Sequence, residues 1–476
     1  MDRPDVSDRA TLRKSFWAPG ALPAARLRRG GGERLASAQK PLPPGSFGLP
    51  LLGETLSIAW NNHGFFIKRF KKYGHVFKSH LFGERVVFFV GPEAFTFFLD
   101  ERYFTRARGS PGHVQELLCY DSLPLIDGET HRTRKRLILH AFRKEALDAY
   151  VPIIQRITSK FIEQWARRGD LTWRDEFQKM GSALVLELFT GQVAGPANAH
   201  VASAINDFLK GFTAAPIKLP FTTYGRAIRG RDQLLAHIDE ALRQHHQRRF
   251  EDVLSELMEA RSPDGSRLED DVLRLELMHL FFAAYGGVYV SLTLFTLALS
   301  QHPELWQRAR DEVRRVSPEG PITPEQLEKL TFLGQFSQEL RRFFPINSTT
   351  FFAQVKAPFE YGGYHVPAGW RAAACVHVAM HDPDVFPQPE RFDPDRFDAR
   401  CPMHLEENSY IPHGGGAPDG HRCPGEPVIT LLLKIVGTLL LRDYTWELPP
   451  QDLKLNRDFF PTPCSGLKVK FRRLPG

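Results

Sequence analysis

Hydrophobic positions follow the helical period over most of the chain. They turn strand-like around residues 86–90 and 359–366. Val86-Val87-Phe88-Phe89-Val90, closed by Gly91-Pro92, is β-branched and aromatic and predicts a strand of a small sheet. From about 130 to 300 the pattern is helical with few strand signals. Residues 269–300 predict one long, mostly apolar helix, ended by His302-Pro303. Residues 331–344 predict another, stopped by Pro345. Phe359 to Val366 predicts a hairpin around Gly362-Gly363. Residues 380–422 are rich in Pro, Asp and Gly and predict an irregular loop crossing the surface. Residues 425–441 predict a last apolar helix. A Pro/Gly lead-in, Pro43-Pro44-Gly45 and then Gly48 to Gly53, precedes the first helix, and no internal repeat is present. The sum is a helix-dominated unit with a small sheet subdomain.

Composition narrows the class. The chain has 476 residues, 42% hydrophobic and 25% charged, the balance of a globular protein with a sizeable core. Phe is overused, at 37 against 11 Tyr and 7 Trp. Such rings fill cores and also line cavities for flat or long ligands. The net charge of +7 is uneven, because residues 1–40 hold nine Lys/Arg against four Asp/Glu. Residues 1–41 are therefore expected to be a basic mobile tail, and 42–476 a single domain. No basic stripe with interleaved aromatics suggests nucleic acid. The tail has no apolar run fit for a transmembrane anchor or signal peptide, and Asp2, Asp5 and Asp8 speak against an Arg-rich transit segment. The five cysteines (119, 375, 401, 423 and 464) show neither a Cys-x-x-Cys pair nor a disulfide framework. That pattern points to a reducing, cytoplasmic setting.

One cysteine stands apart. Cys423 follows a Gly-rich loop, His413-Gly414-Gly415-Gly416-Ala417-Pro418-Asp419-Gly420-His421-Arg422, and precedes Pro424-Gly425-Glu426 and a helix. Pro424 suits a first helical position, and Gly420 and Gly425 permit backbone to approach a large flat object. Helix N-terminus and nearby N–H groups favour a thiolate. A thiolate facing a planar cofactor is the proximal arrangement of haem-thiolate enzymes. The plain alternative is a structural Cys beside a glycine loop. A second feature is Glu339-x-x-Arg342, one helical turn apart. Alone it reads as a solvated salt bridge. Pro389-Glu390-Arg391-Phe392 follows about fifty residues later, and Arg391 is positioned in sequence to close a triad with Glu339 and Arg342.

In this order, these motifs resemble the cytochrome P450 family, from about residue 42 to the C-terminus. Gly128-Glu129-Thr130-His131 and the helix ending in His302-Pro303 fit as well. The resemblance implies the mainly α P450 fold with a small β subdomain, haem b as cofactor and Cys423 as its axial ligand. It places His421, Arg422 and Gly425 beside the haem, and His131 and Lys135 near its propionates. Lys135 stands where the family usually has Arg. Glu339, Arg342 and Arg391 become a structural clamp.

Two departures follow. The family usually has an aromatic residue seven positions before the Cys, where Gly416 stands, and the loop is longer by about three residues. The ending Gly420-His421-Arg422-Cys423-x-Gly425-Glu426 and the run Pro449-Pro450-Gln451-Asp452-Leu453 resemble the peroxide-using fatty-acid hydroxylase branch. Leu219-Pro220-Phe221 and Gly225-Arg226 resemble the branch that oxidises retinoids, sterols and terpenoids. In the long helix, the usual Ala-Gly-x-acid-Thr maps to Ala283-Ala284-Tyr285-Gly286-Gly287. The acid–alcohol pair that relays protons in ordinary members is Gly286-Gly287. The substrate-anchoring Arg of the peroxygenase branch, expected near Ala283, is absent too. Two interior glycines weaken a helix by about 1 kcal/mol each. Here they predict a bend or a groove over the haem.

The expected activity is a haem-thiolate oxidoreductase hydroxylating an apolar small molecule such as a lipid, terpenoid or polyketide. Alternatives are a peroxide-dependent peroxygenase, an isomerase or dehydratase of a preoxidised substrate, or a non-catalytic haem-fold partner. The basic run Arg132, Arg134, Lys135, Arg136, Arg143, Lys144 is a solvated face or a dock for an acidic ferredoxin or flavodoxin.

Overall fold

The computed structural model describes residues 40–50, 53–195, 198–400, 405–458 and 460–475. All but the last two residues of the basic tail, and Cys401, lie outside the described residues.

The architecture is organised by one helix, Asp270–Gln301. It is 32 residues long, about 48 Å at 1.5 Å per residue. Asp270 and Asp271 sit in its first turn, where acidic side chains oppose the helix dipole. Pro303 opens the following helix and stops this one at His302. From Leu277 onward the helix is apolar nearly all round, the composition of a helix surrounded by protein. Among the described residues it is the single helix long and apolar enough to cross a membrane, yet 83% of its most apolar window is buried inside this fold. It packs against the helices Trp173–Thr190, Thr223–His245, Thr331–Phe343 and Glu426–Asp443.

The strand content is small and lies beside this helical core. A five-stranded sheet runs β1(Val76–Leu81)–β2(Glu84–Phe89)–β8(Arg371–Ala374)–β5(Ala353–Val355)–β3(Phe104–Thr105). Its β2/β8 pair is parallel, with Val86 opposite Arg371, and the other pairs are antiparallel. A three-stranded sheet orders β4(Asp170–Thr172)–β10(Lys468–Arg473)–β9(Tyr444–Glu447). The expected hairpin is β6(Phe359–Tyr361) with β7(Tyr364–Val366). Gly362 and Gly363 make its two-residue turn at φ 58° and 85°, values that favour glycine at both positions.

The sheet core is aromatic. Phe89, Phe98, Phe104 and Phe359 meet at centroid distances of 5.3–6.3 Å. Part of the Phe excess therefore fills the core, and another part, including Phe212, Phe282 and Phe460, lines a cavity.

Two expectations are corrected. The last helix begins at Glu426, so Pro424 and Gly425 form a turn and the proline in the first helical turn is Pro427. The 380–422 stretch is irregular as expected but holds a short 3-10 turn, Pro394–Phe397.

Candidate functional site

A cavity of about 1880 Å³ lies between the long helix and the Cys423 loop. Cys423, His131, Lys135, His421 and Gly425 line it on one side; Ala283 and Gly287 line it on the other. The loop is shaped by its own backbone bonds. Gly414 N–H donates to Ile411 O at 3.0 Å, Gly420 N–H to Ala417 O at 2.9 Å, and Cys423 N–H to His413 O at 2.9 Å. Cys423 thus sits on a doubled-back strand of backbone, three residues before the helix. Burial pushes its thiol above the ordinary range, while the Gly425 N–H and Lys135 pull the other way. A half-buried thiol at the cavity wall, with the Gly425 N–H and Lys135 favouring its ionised form, is suited to ligate a metal, which would hold it as thiolate.

Five expected cofactor residues come together here, though not all by their side chains. Lys135 is buried, and its Nζ donates to the Arg422 carbonyl. Burial pushes it down to about 8, against the pull of Cys423 and Glu276. His131 packs on His421 at 4.1 Å between ring centroids. Burial drives His131 down to about 3, so it is neutral at ordinary pH. His421 Nε2 lies 3.2 Å from Asp127 Oδ1. Arg422 offers its backbone; its guanidinium turns outward to Glu426 at 2.8 Å.

Two residues went unread in the sequence. Burial acts to raise the Asp127 carboxyl, but His421, Thr105 Oγ1 (2.5 Å) and the Ala107 N–H (3.1 Å) hold it well below the usual range. Arg106 is 5% exposed, stacks on Phe98 at 4.2 Å and lines the cavity. Its Nη1 has no hydrogen-bond partner. Burial pushes it down to about 10, still a cation. A buried guanidinium with an orphaned donor favours a further anion beside it. Arg106, Lys135 and the two imidazoles form a rim suited to carboxylates, which is what haem propionates supply. The thiol, the rim and the size of the cavity together fit haem b. The only sequence signal for Arg106 is its place just after a strand.

The clamp is present with one member exchanged. Arg342 donates from Nε and Nη2 to Glu339, both at 2.7 Å, and both side chains are fully buried. It also donates to the carbonyls of Met380, Pro389 and Arg391 at 2.9, 2.9 and 3.1 Å. Arg391 therefore contributes its carbonyl. Its side chain is 66% exposed and leans toward Asp393 at 3.6 Å. The third cation at Glu339 is Arg396, 8% exposed, at 3.7 Å. The 3-10 turn at Pro394–Phe397 carries Arg396 inward, where a buried carboxylate favours a second positive charge.

On the opposite side, the two glycines differ. A Cβ on Gly286 would fall 2.2 Å from the Phe460 ring, so that glycine lets the ring seat against the helix. A Cβ on Gly287 would meet nothing within 4 Å, so that glycine opens a groove into the cavity. The helical assignment runs unbroken through both. Neither has a side chain to hold or move a proton.

A family model described as cytochrome P450 matches residues 43–188 and 204–471. Cytochrome P450 120 of a Synechocystis strain is 31% identical over 438 residues, covering 91% of this chain and 97% of that one. Abscisic acid 8'-hydroxylase 1 of Oryza sativa subsp. japonica is 28% identical over 458 residues, covering 94% of each. Among solved structures, the retinoic acid-bound cyanobacterial CYP120A1 superposes with a TM-score of 0.84 at 31% identity, over 92% of this chain and 100% of that one. Cytochrome P450EX alpha (CYP152N1) with myristic acid superposes at 0.75 and 25% identity, over 91% and 100%.

Proposed function

The chain belongs to the cytochrome P450 family, and we propose on that footing that it hydroxylates an apolar carboxylic acid. Membership makes it a haem b oxidoreductase of the monooxygenase or peroxygenase type that oxidises a small apolar molecule. The finer reading rests on one observation: the Cys423 thiol and the open groove at Gly287 face one cavity, with apolar walls that include Phe212, Phe282 and Phe460. The proteins it resembles include one named for oxidising abscisic acid and structures holding retinoic and myristic acid, all apolar chains or rings ending in a carboxylate.

When bound, the haem supplies the oxidising iron, and the protein's part is binding, orientation and control of protons. Cys423 would provide the sulfur ligand to the haem iron. Arg106, Lys135, His131 and His421 would hold the haem propionates. The Glu339–Arg342–Arg396 cluster ties the segment 380–396 to the helix Thr331–Phe343. The apolar walls, Phe212, Phe282 and Phe460 among them, would limit water around a bound substrate. Gly286 and Gly287 leave proton delivery to water or to the substrate's own polar group. The missing side chains also favour a second reading, in which peroxide serves as oxidant and the relay is dispensable.

Incubation of the haem-loaded protein with apolar acids separates the two. Product formed with NAD(P)H and a ferredoxin or flavodoxin system, and not with hydrogen peroxide alone, supports the monooxygenase. The reverse supports the peroxygenase. No oxidised product under either regime, across retinoid, terpenoid and fatty acids, overturns the acid-hydroxylase reading.

A further inference from the structure

Between Leu277 and Leu299 four residues of the long helix are not buried: His279, Ala283, Ala284 and Gly287. All four line the cavity. His279, Ala283 and Gly287 are spaced by four, so they share one face. That open face begins at an imidazole and ends about 12 Å later at the groove over the haem. Phe212 and Phe282, stacked at 4.4 Å, are apolar walls of the same cavity.

The imidazole is backed by a buried acid. Glu276, one turn earlier, is fully buried. Its Oε2 accepts from the Leu123 N–H at 3.2 Å and lies 3.8 Å from His279 Nδ1. Its Oε1 has no hydrogen bond, with Arg134 Nη1 at 3.6 Å. His279 Nδ1 is also unpaired. Three chain segments thus bring a carboxylate, a guanidinium and an imidazole together, and His279 carries the cluster to the cavity wall. His279 Nδ1 faces Glu276, which leaves Nε2 as the ring atom able to hydrogen-bond a ligand in the cavity. Arg134, 3.6 Å from the same carboxylate, adds a positive charge behind the imidazole.

We propose that His279, oriented by Glu276, anchors the carboxylate of an amphipathic acid, and that the His279-to-Gly287 spacing selects the carbon presented for oxidation. This rests on the acid-hydroxylase reading above. His279 is a specificity-determining residue in that account, and Glu276 a positioning residue.

The test uses the haem-loaded full chain, with saturated fatty acids long enough to span about 12 Å and the matching primary alcohols. Binding is followed by calorimetry and by the haem spectral shift, and products are mapped by mass spectrometry. His279→Leu is expected to weaken acid binding about tenfold or more, to change alcohol binding far less, and to scatter the site of oxidation. His279→Gln, which keeps a donor, is expected to recover most of the affinity; Glu276→Gln is expected to fall between. Acid binding and product pattern unchanged in His279→Leu overturn the proposal. So does an equal loss for acids and alcohols, since that marks packing or a neutral-oxygen contact. A wild-type protein without the thiolate spectrum overturns the haem-thiolate reading, and calorimetric acid titration of the variants still decides this one.

Discussion

Phe460 and Gly286 occupy one another's space: a Cβ on the glycine would lie 2.2 Å from the ring. Gly287, the next residue, faces open cavity. Alanine at the two positions is therefore expected to act with opposite sign. Gly286→Ala forces the ring to move, an overpacking penalty of about 1–3 kcal/mol that outweighs the roughly 1 kcal/mol gained in helix propensity. Gly287→Ala keeps that gain and clashes with nothing. Urea midpoints of the two variants check this; shifts in the same direction contradict it.

The exchange of Arg391 for Arg396 in the clamp gives a clean pair. Arg396→Ala removes a buried cation from Glu339, whose carboxyl burial already raises, and is expected to destabilise by about 3 kcal/mol. Arg391→Ala leaves its carbonyl in place and trims an exposed side chain, an effect within about 0.5 kcal/mol. Comparable losses in chemical denaturation would return Arg391 to the triad.

Arg106 is expected to hold a propionate. Arg106→Leu removes the orphaned buried charge but also the anion's partner, so the protein without haem should be no less stable while haem is held about tenfold less tightly. The rate of haem transfer to an excess of apomyoglobin reads this directly. Unchanged transfer places Arg106 outside the haem rim.

His237 sets part of the acid limit. It is 8% exposed, its Nε2 is unpartnered, and burial pushes it down to about 4. The unfolded chain takes up this proton near pH 6.5, whereas the folded one resists it. Its contribution is thus fully present above pH 6.5 and is lost as pH falls toward 4, up to about 3 kcal/mol in total. His237→Phe is expected to flatten stability against pH over that window. An unchanged slope means that His237 titrates alike in the folded and the unfolded chain.

Much of this was legible in the chain. Periodicity located the long helix to within a residue, because a stretch apolar on every side has one stable place, the core. Gly362-Gly363 fixed the hairpin, since two successive positive φ values suit glycine. Cys423, His131, Lys135 and His421 do meet at one cavity. What failed was the choice between like residues at short range. Arg391 and Arg396 both sit in Pro-acid-Arg-Phe runs, and only the 3-10 turn decides which one faces inward. Pro424 and Pro427 compete in the same way for the helix start. Arg106 and Glu276 carry no local signature at all. Their importance comes from burial and, for Glu276, from Leu123 and Arg134, more than a hundred residues away, which no window of sequence contains.

The account stands on Cys423 as the sulfur ligand of haem b. The reduced, carbon monoxide-bound absorption spectrum of the wild type and of Cys423→Ser tests it most directly. The wild type is expected to show the red-shifted Soret band that thiolate ligation produces, and the variant to lose it. A wild type without that band, or a serine variant that keeps it, contradicts the assignment.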